Sequence, residues 1–274
     1  MLIVNADDYG MNENATKAIL ECFERGLLTN STMIVNSEYS EVALSLAKEM
    51  GICGQIGLHV NLMQGRPLTD AMRMNRTFCD ASGNFTGLIG RRGRRYQRFW
   101  MRKDDVIAAG LEIRAQMELF RKMGFLLNHF DSHIYSNTYL PLLPIYLICA
   151  KEFGFETTRG MVNTTADGKS KKMSILRSLY SRHVYAEIRK SGMKTADYLG
   201  YAWDIVNICS RASGEFVFEL HCHPNYRASD DRLSMDGELK DWKTPYNESF
   251  ALIKNVLRDW RVIDFAGLAK EHGA

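Results

Sequence analysis

Asp7 and Asp8 stand side by side near the start of the chain, and His59, the pair Asp131/His133 and the pair His221/His223 follow at long intervals. Of seven histidines, His59, His129, His133, His221 and His223 fall within or just after segments that read as β-strands. A lone histidine is most often a hydrogen-bonded core residue, but four strand ends carrying imidazoles and carboxylates point to one shared centre. Two imidazoles and a carboxylate leave positions open on a divalent ion, as catalytic sites do and structural sites do not. An ion so held lowers the pKa of a bound water and polarises a carbonyl, so an amide or ester can be hydrolysed without a protein nucleophile. A second carboxylate can then take the water's proton, and a histidine on the far side can protonate the departing amine.

On extended backbone Asp7 and Asp8 point to opposite sides, so both serve one centre only if the chain bends there. The alternative is that one of them caps the helix after Gly10, with Asn12 and Asn14 as rivals. Cys222, between His221 and His223, is either a ligand or a small side chain on the opposite strand face, and the strand's period of two favours the latter. No GxSxG elbow, HExxH helix, Walker loop or GxGxxG fingerprint occurs, which removes the support for serine hydrolase, zincin and nucleotide-binding readings. Paired carboxylates also serve glycosidases, but that chemistry needs no histidine cluster.

The elements that must position these groups alternate. A strand from Leu2 ends at Asp7/Asp8 and a helix spans Asn12 to Arg25; a strand at Ser31 to Val35 precedes a helix capped by Ser37 or Ser40. A third strand runs to His59 and Val60, followed by about forty residues without sustained period, an insertion at a strand's C-terminal end. From Asp104 an amphipathic helix runs to Gly124, then a fourth strand ends in HFDSH. Leu140 to Phe153 reads as a helix and Phe155 to Gly160 as a short strand, while Asn163 to Lys194 is a basic, poorly periodic second insertion. GEFVFELHCHP is a late strand, and a helix over Phe250 to Trp260, the strand VIDF and a helix from Ala266 close the chain.

Such alternation predicts an α/β fold: a TIM-barrel-like (β/α) barrel, with eight strands or fewer, or a doubly wound sheet. The barrel is favoured because the candidate residues lie at the C-terminal ends of several different strands. One domain over residues 1–274 accommodates the whole pattern. Hydrophobic residues at 46% and charged residues at 24% give a globular balance, and 35 basic against 32 acidic side chains leave a net charge of only +3, which implies no nucleic-acid or membrane partner. No segment reads as a signal peptide or spanning helix, and six cysteines without a CxxC pair fit a reducing cytoplasm. Exposed barrel helices commonly form homodimers, though no segment marks an interface. The basic run over residues 91–103 interleaves Tyr96, Phe99 and Trp100 with charge. It either binds an anionic or stacked sugar chain or packs its aromatics on the core, the commoner arrangement.

NADDYG (5–10), GLHVNL (57–62), HFDSH (129–133) and LHCHPNY (220–226), in this order along the whole chain, resemble the YdjC-like carbohydrate deacetylases. NSTMIVN (30–36), GRPL (65–68) and a helix bearing Glu112 and Gln116 add to the likeness. The resemblance implies a (β/α) barrel that removes the acetyl group from N-acetylglucosamine-containing oligosaccharides with the help of one divalent ion. Zinc or magnesium is expected, with manganese or cobalt also compatible. By the same resemblance Asp8, His59 and His133 are metal ligands, Asp7 the catalytic base and His223 the general acid, with His221 as its alternative. Arg159, His221, His129 and Asp131 are then expected to contact the sugar. Where the family continues DSH with further histidines, this chain has Ile134 and Tyr135. The rival readings are an esterase or amidohydrolase acting on a non-sugar acyl group, and a carbohydrate-binding protein without turnover.

Overall fold

In the computed structural model, residues 1–91, 93–164, 175–201, 204–205, 215–226, 233–235, 253–255 and 257–271 are described. Seven parallel strands form one sheet: β1 (Leu2–Tyr9), β2 (Asn30–Met33), β3 (Ile56–Val60), β4 (His129–Ser132), β5 (Thr157–Thr158), β6 (Tyr198–Gly200) and β7 (Phe218–Cys222), in the order β5-β4-β3-β2-β1-β7-β6. The sheet curls until its edges meet, where Thr157 of β5 bridges in parallel to Lys194 just ahead of β6. This is the expected (β/α) barrel, with fewer than eight strands.

The helices outside are α1 (Glu13–Glu24), α2 (Ser40–Met50), the short α3 (Asp70–Arg73), α4 (Lys103–Met123), α5 (Leu143–Glu152) and α6 (Ile175–Lys190), with a last helix at Phe265–Glu271. Asn12 caps α1, its Oδ1 accepting the Ala15 N–H at 2.9 Å, so neither Asp7 nor Asp8 is spent as a cap. α2 begins at Ser40 behind Tyr39, whose N–H is held by Ser37 Oγ at 3.2 Å. Left-handed Gly51 and Gly124 end α2 and α4, as a residue without Cβ allows.

The second insertion is not irregular: α6 occupies much of it. Its apolar residues Ile175, Leu176 and Leu179 face solvent, so no single buried stripe announces the helix in the sequence. β6, three residues long, carries too little pattern to be read in advance. VIDF contributes only an isolated bridge from Val262 to Leu2. Of the expected helix over Phe250 to Trp260, residues 250–252 and 256 lie outside the described residues, and 253–255 and 257–259 are helical.

Parallel strands alternate their side chains between two buried faces. Leu2, Val4, Ala6, Leu58, Val60, Phe130, Phe218, Leu220 and Cys222 point outward into the large core beneath the helices. Cys222 is thereby the outward residue that strand periodicity suggests. Inside the barrel, Ile3, Leu127, Ala196, Val217, Phe265 and Leu268 form a separate apolar plug at the N-terminal end of the strands. Above the plug the interior turns polar, with Asn5, Asp7, Thr32, His59, His129, Asp131, Glu219 and His221 all buried.

Gly57 makes room for one of these. A Cβ there would lie 2.7 Å from the His129 carbonyl oxygen and 3.2 Å from its ring. Gly57→Ala is expected to lower stability by about 1–3 kcal/mol through overpacking between β3 and β4, read as a reduced urea midpoint with unchanged m-value.

Candidate active site

β1 delivers two carboxylates to the barrel mouth by breaking its own alternation. Asp7 follows Ile3 and Asn5 on the inner face, so Asp8 should point outward. Instead Asp8 takes a left-handed φ of 72°, and the β1–β2 register shifts between Ala6 and Tyr9. Asp tolerates this conformation better than most residues, at a cost of order 1–3 kcal/mol. The turn swings Asp8 over the mouth, where its Oδ1 meets His133 Nδ1 at 2.9 Å and His59 Nε2 at 3.3 Å.

His59 is the penultimate residue of β3, and its Nδ1 donates to Asp131 Oδ1 at 2.5 Å, which fixes the ring and leaves Nε2 aimed at Asp8. A carboxylate behind a ligating histidine is the usual support of a metal site. Thr32 of β2 donates to Asp131 Oδ2 at 3.2 Å and holds that carboxylate in turn. His133 follows β4 directly and is steered by an unusual turn, since Ile134 and Tyr135 are both left-handed, with φ of 55° and 59°. A β-branched residue in that region is strained, and such strain collects at functional sites. On its other side His133 Nε2 meets Gln64 Nε2 at 3.1 Å.

Gln64 is held by the α4 residues that belong to the resemblance. Gln116 clamps Asn61 through both backbone groups at 2.9 and 2.8 Å, and Asn61 Nδ2 donates to the Gln64 carbonyl at 2.9 Å. Glu112 accepts the N–H groups of Leu68 and Thr69, each at 2.9 Å, and so anchors the GRPL segment. Both therefore position the loop after His59 and do not line the site.

Beneath the triad lies a buried charge network. Arg159, just past β5 and 1% exposed, donates from Nη1 to Asp7 Oδ2 at 2.6 Å and to Asp131 Oδ2 at 2.8 Å, from Nη2 to Asp7 Oδ1 at 2.7 Å, and from Nε to Glu219 Oε1 at 2.6 Å. Asn5 adds a 2.9 Å hydrogen bond to Asp7 Oδ1. Burial pushes the Asp7 carboxyl up, but Arg159 overrides it and holds Asp7 well below the usual carboxylate range. Asp8 is likewise held low, burial being outweighed by His133 and His59. His59 goes the other way: burial lowers it, yet Asp131 with Asp8 and Asp7 raises it to about 10. The mouth is thus a region where acidic groups favour any cation.

Not every expected residue enters this cluster. His129 is fully buried, stacked on Phe265 with ring centroids 3.4 Å apart and bonded through Nδ1 to Thr157 at 3.0 Å. It belongs to the barrel's interior packing, and burial holds it neutral, well below the ordinary histidine range. Arg159 and Asp131 are equally sealed, with their polar atoms committed to one another and to their neighbours, so the expected sugar contacts give way to support from below. His221 is buried and kept neutral by burial and by Arg159, its Nε2 bonded to Tyr135 at 2.9 Å. His223 stands at the rim, one-third exposed, with Nε2 3.6 Å from Asp7 Oδ2. Tyr135, two residues after His133, thus reaches His221. Glu219 escaped notice in the sequence although it lies two residues before His221 on the same strand face, an acid amid the apolar run of GEFVFELHC.

The donor set suits a divalent ion: one carboxylate oxygen and two imidazole nitrogens, from Asp8, His59 and His133, all lie within 4.8 Å of one another. Two histidines with one carboxylate match zinc and other later divalent metals, and the supporting carboxylate of Asp131 matches the outer shell such ions require. Asp7, His59 and Asp131 form a second such group, but there Arg159 already neutralises both acids.

Fold and site together define a parallel (β/α) barrel with a two-histidine, one-carboxylate centre at its C-terminal mouth. The chain belongs to the family of YdjC-like proteins, whose family model matches residues 1–264. A carbohydrate deacetylase from Vibrio cholerae is 34% identical over 153 residues, which is 56% of this chain and 56% of that protein, little more than half of its length. A carbohydrate deacetylase from Thermoanaerobacter pseudethanolicus is 25% identical over 272 residues, covering 96% of this chain and 93% of the relative. Among solved structures, one described as a cellobiose-phosphate cleavage protein from Enterococcus faecalis superposes with a TM-score of 0.65 at 20% identity, covering 97% of this chain and 98% of that one, and supports the fold. Among the described residues no helix is long and apolar enough to cross a membrane.

Glu219 offers a direct check on the buried network. Burial, opposed only in part by Arg159, raises its carboxyl to about 7. The folded chain therefore holds this proton more tightly than the unfolded chain, so the Glu219 contribution to stability is present below the unfolded value near 4.5 and is lost as pH climbs to about 7. Glu219→Gln is expected to flatten that segment of the stability profile, measured by urea unfolding across the same pH interval.

Proposed function

We propose that this protein is a divalent-metal-dependent hydrolase that removes the acetyl group from N-acetylated sugars. The observation that carries the reading is the convergence of Asp8, His59 and His133 at the barrel mouth, with Asp7 and His223 beside them. The carbohydrate deacetylases among its relatives supply the substrate class.

A divalent ion in this position supplies Lewis acidity, acidifying a water and polarising the acyl carbonyl. Asp7 accepts the proton of the attacking water. Arg159 and Asn5 fix its carboxylate and keep it ionised at any working pH. Held ionised and oriented in this way, Asp7 is placed to act as the general base. His223, one-third exposed at the rim and near Asp7, can exchange protons with solvent and protonate the departing sugar nitrogen. Tyr135 lines the space beyond the site and is braced by neutral, buried His221. Two imidazole ligands favour zinc over magnesium by chemistry, with cellular supply deciding among zinc, magnesium, manganese and cobalt.

Acetate release from N-acetylglucosamine oligomers, screened with these four ions and set beside O-acetyl esters, tests the reading. Release from the esters alone replaces it with an esterase. Sugar binding without release at full metal occupancy replaces it with a binding protein. Asp7→Asn is expected to lower turnover by roughly 10²–10⁴-fold with metal content unchanged. The His59→Ala, His133→Ala double variant is expected to lose the stoichiometric metal measured by elemental analysis.

A further inference from the structure

The two insertions on the catalytic face meet over the barrel mouth and enclose a cavity of about 670 Å³, within the range of ligand sites. Its floor comes from residues that directly follow the site: Ile134 and Tyr135 after His133, and Met161 and Val162 after Arg159. The left-handed pair at 134 and 135 turns the chain so that His133 serves the triad while the next two side chains line the cavity. The upper wall joins the first insertion to α6. Phe99 and Tyr180 pack with ring centroids 5.3 Å apart, and Tyr180 donates to the Thr138 carbonyl at 2.5 Å.

The aromatics of the basic run do not pack into the core, contrary to the commoner arrangement for such a segment. Phe99 is 59% exposed and the other lining apolar residue Leu176 is 80% exposed, with Trp100 and Leu179 nearby in the chain also 61% and 56% exposed. So much apolar surface on one rim marks a binding face. Arg95, Arg98 and Arg177 also line the cavity, and no acidic or amide side chain does among the described residues. The lining holds no carboxylate or amide to accept from sugar hydroxyls among the described residues, and its one threonine hydroxyl, Thr138, already donates to the Tyr135 carbonyl at 2.7 Å. Aliphatic and aromatic walls with three guanidinium groups instead suit an apolar chain carrying an anion.

We propose that this cavity holds the part of the substrate beyond the reacting sugar, an apolar chain joined to it through a phosphate-like anionic link. The assignment rests on the deacetylase reading for the reacting sugar, and its test is built to fail separately. Calorimetric titration of the whole protein with octyl phosphate, octyl glucoside and inorganic phosphate separates chain from charge. Octyl phosphate is expected to bind at least roughly tenfold tighter than inorganic phosphate, through burial of its methylene groups. It is also expected to inhibit acetate release competitively. Leu176→Asp and Phe99→Ala, both at exposed positions that leave the fold intact, should weaken octyl phosphate severalfold. Arg98→Ala should remove its advantage over octyl glucoside.

Equal binding of octyl phosphate and inorganic phosphate, or indifference to all three variants, overturns the assignment. Preference for octyl glucoside that survives Arg98→Ala overturns the anionic link. Tight octyl phosphate binding with no acetate released from any sugar overturns the deacetylase reading and leaves the cavity as a site for amphiphilic anions. Acetate release untouched by octyl phosphate does the reverse.

Discussion

Arg159 reaches four oxygens on three carboxylates from Asp7, Asp131 and Glu219, which arrive on β1, β4 and β7, strands far apart in sequence. Acids packed this closely away from water cannot all stay ionised without a cation among them, and removing one partner of such a cluster costs several kcal/mol. A planar guanidinium answers several carboxylates at once in a way an ammonium cannot. The same bonds do two jobs. They hold three strand ends at fixed spacing, and they keep Asp7 charged and oriented directly below the donors from Asp8, His59 and His133. Shape and chemistry of the barrel mouth therefore depend on one buried side chain, and the remaining acid, Glu219, bears the cost as a carboxyl raised toward neutrality.

The sequence revealed the parts of the site that obey a local rule. Strand ends bearing imidazoles and carboxylates were visible because apolar runs stop there, and the triad Asp8, His59 and His133 comes together where those ends converge. The parallel order of strands followed from alternation alone, and the resemblance supported the barrel. What stayed hidden depends on three dimensions. Nothing in a window around Arg159 distinguishes a sealed hub from a surface arginine, because its partners Asp131, Glu219 and Asp7 lie far outside that window, the latter two 60 and 152 residues away. His129 and Asp131 share one strand face with different fates, one stacked on the plug and one supporting His59, a difference of depth that periodicity does not encode. The left-handed backbone of Asp8, Ile134 and Tyr135 is equally invisible, since none of these is glycine.

The insertions show the converse. Both read as irregular sequence, yet one contributes the 3₁₀ turn Arg95–Arg98 and Phe99, and the other contributes α6; they meet at Phe99 and Tyr180. The strands supply the carboxylates and imidazoles of the candidate site, and segments outside the strand–helix rhythm shape the space above them. In a (β/α) barrel this division lets the loops vary with the substrate while the chemistry stays fixed.

β1 pairs with β7, so Asn5 finds His221 as its neighbour across almost the whole length of the chain. During synthesis β1 emerges ahead of Arg159 and β7, so its inward acids have no guanidinium until Arg159 follows and no closing strand until β7 is made. At ordinary elongation rates of about 5–20 residues per second, that wait lasts on the order of ten seconds or more. For that interval β1 lacks its β7 neighbour and presents a parallel edge bearing uncompensated carboxylates. Charges at a strand edge discourage pairing with other chains, so the carboxylates proposed for the chemistry also protect that edge against aggregation.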